Sequence, residues 1–199
     1  MSTEEPTTPT PDRRTLIADT AIDLVASAGL RGLTHRAVDG PAGLPAGSTS
    51  YYFRTRTALI AACYRRLAEL DASEGPLDLP TDRDAAARAL GGLLHHWLTA
   101  GRARQLARFE LSLEAARNPE LEPDLREAGL AVRARAAAVL AALGAPEPQE
   151  SAELLAAWTD GLLYDRLAGA LAHARPAPDP AELTAIVRRM LDAVLGGAV

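Results

Sequence analysis

The sequence predicts an all-α protein of about nine helices, and three observations carry that expectation. Ala and Leu dominate an apolar fraction of 48% in which aromatic residues make up only 4% of the chain, and neither side chain loses much rotational freedom in a helix. Apolar residues recur at spacings of three and four in one segment after another, the period of a single helical face. No stretch of useful length alternates apolar and polar residues, as a half-buried strand would. With 199 residues, the chain can enclose a sizeable core as one large domain or two small ones.

Taken in order, residues 1–11 are rich in Thr and Pro and are expected to form a disordered tail, because they have little apolar surface to bury. A first helix starts at Arg13, buries Leu16, Ile17, Ala21, Leu24 and Val25, and meets a stop signal at Gly29. Thr34 is placed to cap a short second helix through His35 to Val38. Gly40 and Pro41 follow, and the proline ring crowds the carbonyl four residues before it, which shortens that helix. After a turn over 43–47, a third helix is expected to begin near Pro45, in its first turn, and to carry Ser48 through Phe53. A fourth runs from about 57 to 73 on Leu59, Ile60, Cys63, Leu67 and Leu70. The segment SEGPLDLPTDRD reads as a linker, and five more helices are expected near 82–100, 102–117, 121–143, 149–174 and 180–196. The expected organisation is a tail (1–11), a three-helix head (12–56) and a larger helical body (57–199).

Charge separates these parts. The chain carries a net charge of -5, yet residues 13–66 hold eight Arg against three Asp. A locally basic module on an acidic body suits contact with a polyanion. All 21 basic residues are Arg. The single cysteine, Cys63, stands among apolar neighbours and reads as core filler. No segment is apolar over the roughly 18 residues a membrane span needs, and no secretory leader pattern is present, so the expected location is cytoplasmic.

The segment AVDGPAGLPAGSTSYYF places Gly40, Gly43 and Gly47 ahead of hydroxyl and aromatic residues. A phosphate loop would need a Lys after its last glycine and a buried strand before its first, and both are missing. A helix-turn-helix fits better: a short helix, a glycine-containing turn, and a second helix whose start enters the major groove. Gly47 and Ser48 allow close backbone approach, Ser48 and Ser50 offer hydroxyls to base edges, and Tyr51 and Tyr52 offer phenols to phosphates. Arg36, Arg54 and Arg56 surround this helix with positive charge, while Phe53 serves as an apolar anchor.

On these residues the stretch GLRGLTHRAVDGPAGLPAGSTSYYFRTRTALIAAC resembles the DNA-binding domain of the TetR family of bacterial transcriptional regulators. Leu33, Thr34 and Arg36, then Ala42, Gly43 and Leu44, then Gly47, Ser48, Tyr51, Tyr52 and Phe53, then Arg54 and Arg56 follow the family's order. The resemblance implies phosphate contacts from Thr34, His35, Tyr51, Tyr52 and Arg56, and base-edge contacts from Arg36, Ala46, Gly47, Ser48 and Ser50. Two positions depart from the pattern. Ser50 stands where many members have Tyr, and Gly40–Pro41 replaces a helix-forming pair, which implies a shortened second helix and lowered DNA affinity.

For the body, the resemblance implies a small organic effector and a homodimer built on the last two helices. The expected effector pocket draws on His96, Trp97, Arg108, Phe109, Glu110, Leu113, Trp158 and Tyr164, an assortment of aromatic and polar groups on three helices. The expected dimer interface uses Gly161, Ala168, Gly169 and Ala172, which permit close approach, together with the stripe Leu183, Ile186, Val187, Met190 and Val194. No cofactor or metal is expected, since Glu110 and Glu114 lack the paired Glu-x-x-His repeats of a di-iron bundle. His95, His96 and Glu110 could in principle serve an enzyme, but neither a nucleophile elbow nor an HExxH motif accompanies them. The expected function is a ligand-released repressor binding palindromic double-stranded operator DNA. The alternative is a helical binding or scaffold protein with weakened DNA binding.

Overall fold

A computed structural model describes residues 12–74 and 82–196. The tail over 1–11 and most of the expected linker lie outside these residues. Among the described residues there are nine α-helices and no strand: α1 (Arg13–Gly32), α2 (His35–Asp39), α3 (Ser48–Tyr52), α4 (Arg56–Glu74), α5 (Arg83–Leu98), α6 (Arg102–Ala115), α7 (Glu122–Ala142), α8 (Pro148–Leu167) and α9 (Pro180–Val194). A single 3-10 turn, Pro119–Leu121, leads into α7.

Local chemistry explains most of the boundaries. Asp82 and Asp179 accept backbone N–H groups at the starts of α5 and α9, and Thr34 does the same for α2 by accepting from Ala37 at 3.1 Å. Gly29 has φ +66°, a left-handed conformation that breaks α1, after which one further turn reaches Gly32. The first helix therefore outruns its expected stop by a turn. Pro45 precedes α3 instead of opening it, because Gly47 with φ +91° reverses the chain immediately before Ser48. At the other end of the body α8 stops at Leu167, short of the expected 174; Ala168 and Gly169 leave the helix and hand their N–H groups back to Tyr164.

Two cores organise the chain. The first collects Ile17, Ala21 and Val25 of α1, Val38 of α2, Phe53 after α3, and Leu59, Ile60, Cys63 and Leu67 of α4, and it extends to Ala107, Leu111 and Ala115 of α6. The second collects α5, α7, α8 and α9 around Leu94, Leu140, Leu163, Leu183, Val187 and Leu191. The head therefore does not pack on itself alone, since one face of α6 completes its core. Burial pushes the Cys63 thiol up to about 12, so it stays protonated and acts as filler.

The α5–α9 crossing depends on a missing side chain. A Cβ on Gly91 would meet the Cα of Thr184 at 2.8 Å and its N at 2.9 Å, whereas Gly92 next to it faces open space. Gly91→Ala is expected to force the helices apart and lower stability by about 1–3 kcal/mol. Gly92→Ala is expected to raise it by about 0.5–1 kcal/mol through helix propensity. Urea unfolding of the two variants checks this pair, and opposite signs are the expected result.

Candidate nucleic-acid interface and effector cavity

The second and third helices are each five residues long, too short to hold their relative position without tertiary help. Asp39, at the last position of α2, provides it. Its Oδ2 accepts the Gly47 N–H at 2.7 Å, and its Oδ1 accepts the Thr49 N–H at 2.8 Å and the Thr49 hydroxyl at 2.6 Å. One carboxylate thus caps α3 and ties it to α2, with both Asp39 and Thr49 buried. Burial by itself would push this carboxyl up. The Thr49 hydroxyl, the Thr49 and Gly47 amides and the nearby His35 outweigh it and hold the group below the ordinary aspartate range. Sequence reasoning missed this residue because its partners lie eight and ten positions away, outside any local capping pattern.

The far end of α3 is fastened as well. His35 Nε2 donates to the Phe53 carbonyl at 2.7 Å, and Arg14 donates to the Tyr52 carbonyl at 3.2 Å while lying over the Phe53 ring. His35, expected at a phosphate, orients α3 through this bond. Arg56 has a bracing role of its own. Its Nη2 donates to the Leu30 carbonyl at 2.7 Å and its Nη1 pairs with Glu114 at 3.3 Å, so it braces α4 against the end of α1 and against α6. Thr34, Arg36, Ala46, Gly47, Ser50, Tyr51 and Arg54 remain exposed on one side of the head. Tyr51 is 79% exposed and meets Tyr52 edge-on. Ser48 is half-buried, its hydroxyl turned to the Pro45 carbonyl at 2.6 Å.

The body holds a cavity of about 410 Å³ between α4, α5, α6, α7, α8 and α9. Leu67, Leu90, Leu94, Phe109, Val139 and Leu155 give it an apolar wall, with Trp97 and Arg108 among the polar and aromatic groups. Three expected pocket residues, Trp97, Arg108 and Phe109, therefore line it. His96, Glu110, Leu113, Trp158 and Tyr164 do not. Glu110, Leu113, Trp158 and Tyr164 are exposed, because they sit on the faces of α6 and α8 turned away from the cavity; Tyr164 reaches only the edge of Phe109.

The residues of the expected dimer stripe have neighbours within the chain. Leu183, Val187 and Val194 are buried in the second core, Ile186 packs against it, and Val187 and Met190 line the cavity. The apolar face of α9 is consumed by α5, which needed a partner of its own. Gly161 and Ala168 are exposed, while Gly169 and Ala172 are half-buried.

Three polar rungs join α4 to α6 in antiparallel order. Arg56 pairs with Glu114, the Tyr64 hydroxyl donates to the Leu111 carbonyl, and Asp71 pairs with Arg108 at 3.1 Å. Tyr64, Asp71 and Arg108 line the cavity. Burial pushes the Tyr64 phenol up to about 12, which keeps it a donor at neutral pH. The fourth helix therefore leads from the foot of the head directly to the cavity wall.

Residues 81–195 match the family model described as Tetracyclin repressor-like, C-terminal domain. A transcriptional regulator from Rhodococcus sp. Rha1 is similar in structure, with a TM-score of 0.78 and 25% identity over 94% of this chain and 98% of its own. The multidrug binding protein EbrR complexed with ethidium has a TM-score of 0.67 and 31% identity over 90% and 98% of the two chains. A TetR family member from Streptomyces coelicolor A3 has a TM-score of 0.67 and 30% identity over 90% and 98%. No curated protein matches the sequence. Among the described residues no group of His, Cys, Asp or Glu could hold a metal ion, and no helix is long and apolar enough to cross a membrane.

Replacing Asp39 by Ala removes three acceptor contacts and leaves buried donors behind, so a loss of about 1–3 kcal/mol is expected. The pH dependence has a definite sign. A carboxyl held below its unfolded value contributes fully at neutral pH and loses that contribution as the medium is acidified through the folded value. Wild type and Asp39→Ala should therefore differ most near neutrality and converge on acidification, a difference that thermal unfolding across pH would register.

Proposed function

The chain belongs to the TetR family of transcriptional regulators, and from that premise we propose that it is a dimeric repressor whose head grips palindromic operator DNA until a small organic effector enters the body. The observation that carries this reading is the front of α3. Ala46, Gly47, Ser50 and Tyr51 stand exposed beside Arg36 and Arg54, on a helix fixed at both ends by Asp39 and by His35 with Arg14. Small exposed groups at a helix start suit close approach to base edges, and flanking arginines suit phosphates.

The outward face of α8 is the best candidate for the twofold contact. Leu154 and Trp158 are exposed one turn apart, and exposed Gly161 continues the same face. Exposed Ala181, Ala185 and Ala193 on α9 would allow a second helix pair to approach closely. Two heads related by such an axis would meet half-sites about one helical turn of DNA, roughly 34 Å, or a small multiple apart. The ligand held by EbrR supports a small organic occupant for the corresponding cavity of this chain. Effector binding would favour a conformation whose heads no longer match the half-sites.

A gel-shift titration with DNA from upstream of the chain's own gene tests the proposal, with saturable, sequence-selective retardation expected and random duplex bound no more weakly than that DNA counting against it. Within that assay Arg54→Gln should weaken operator and random duplex alike and lower the salt dependence, whereas Ser50→Ala should weaken the operator preferentially. Trp158→Glu should shift the chain from dimer to monomer in sedimentation and reduce operator affinity with it, because a charge would be buried unpaired at the contact.

A further inference from the structure

We propose that the cavity takes an amphipathic acid, whose carboxylate displaces Asp71 from Arg108; this rests on the effector-binding role assigned above to the same cavity. Arg108 is presented for such a ligand. Its guanidinium carbon lies 5.6 Å from the centre of the Trp97 ring, a cation–π contact that helps hold the group at the cavity wall. Its Nη2 is buried and stands 3.1 Å from Asp71 Oδ2, but with no hydrogen-bond alignment to any acceptor. That nitrogen has charge compensation without a directional bond, and a carboxylate that approached in plane would supply both.

The remaining charges favour the same sign of ligand. Arg133 and Arg135 also line the cavity, against Asp71 and Asp160. Arg133 is engaged by Glu153 at 2.7 Å. Asp160 is exposed, where solvent screening makes an ion pair worth little. Arg135 donates to the Asp71 and Ala72 carbonyls, and with three arginines against two aspartates the lining carries a net positive charge that favours an anionic head. The apolar wall formed by residues such as Leu90, Leu94 and Leu155 suits an aliphatic or aromatic tail.

Displacement would have a consequence along the chain. Asp71 stands near the end of α4, and its pairing with Arg108 is the last of the three rungs to α6 and one of the two that draw on cavity-lining side chains from α4. Taking Arg108 away removes that tie between α4 and α6 and leaves this end of α4 held from α7, where Arg135 donates to the Asp71 and Ala72 carbonyls; the other end of α4 carries the head.

Three probes with one tail separate the alternatives: decanoate, decan-1-ol and decylammonium, titrated calorimetrically into the full chain. Decanoate is expected to bind at least about tenfold more tightly than the alcohol, a preference of about 1.4 kcal/mol. Arg108→Gln should bring decanoate to the level of the alcohol, and Asp71→Asn should tighten decanoate by removing its competitor. Equal binding of the three heads, or preference for decylammonium, overturns the proposal on wild-type protein alone, whatever the variants do. Unchanged decanoate affinity in folded Asp71→Asn overturns the displacement. The titration contains no DNA, so a chain that fails the gel shift can still pass it, and the two readings fail separately.

Discussion

Everything distinctive in this molecule depends on α4 having to serve the head's core and the cavity wall at once. Its first turns carry Leu59, Ile60 and Cys63 into the packing of the head, while Tyr64, Leu67 and Asp71 reach the wall of the cavity. A helix is stiff over this length, so a displacement imposed at its cavity end is carried to its other end. The sixth helix is the counterpart. It buries Ala107, Leu111 and Ala115 in the head's core and offers Arg108 and Phe109 to the cavity. The rungs between the two helices are polar and join specific groups, which makes their relative position a choice between discrete arrangements more than a continuous slide.

The head solves a different difficulty. Two helices of five residues cannot be stable separately, and the Gly40–Pro41 pair gives α2 no room to grow. Stability comes instead from a buried carboxylate that replaces helix length with three hydrogen bonds. This arrangement also explains the residue types around it. Gly47 must adopt φ +91° so that its N–H and that of Thr49 converge on one side chain, and the buried Thr49 supplies the third donor with its hydroxyl. The departure seen at Gly40–Pro41 thus shortens the helix without loosening its union with α3.

What was legible in the sequence was local, and what was not depended on partners remote in the chain. Thr34 capping α2, Gly29 interrupting α1 and Phe53 as an anchor each follow from a few neighbouring residues. So does the all-α class, since the spacing of apolar positions survives any tertiary arrangement. Periodicity also located the α9 stripe correctly but could not say which helix would cover it. The answer, α5, turns on Gly91 allowing contact with Thr184, a complementarity between residues more than ninety positions apart. His35 and Arg56 illustrate the same limit at the head. Their residue types suit phosphates, and nothing within a few positions announces that the Phe53 and Leu30 carbonyls need donors.

The count of arginines in the head likewise overstates the charge it can show to a polyanion. Of the eight between residues 13 and 66, Arg14 holds the end of α3, Arg56 braces Leu30 and Glu114, Arg65 pairs with Asp124 of α7, and Arg66 grips Asp19 through two bonds. Half of the eight arginines thus have partners within the chain. Of the other four, Arg13, Arg31, Arg36 and Arg54, all exposed, Arg36 and Arg54 flank the front of α3, where the helix start can use their attraction. In the proposed DNA complex a field spread over all eight would bind any duplex in many orientations; weighted toward the flanks of one short helix, it would favour the orientation in which Gly47 and Ser50 face the bases. Internal engagement of Arg14, Arg56, Arg65 and Arg66 would therefore serve orientation as well as stability, because a cation held by an acceptor of its own chain is less able to recruit a phosphate on the wrong side of the head.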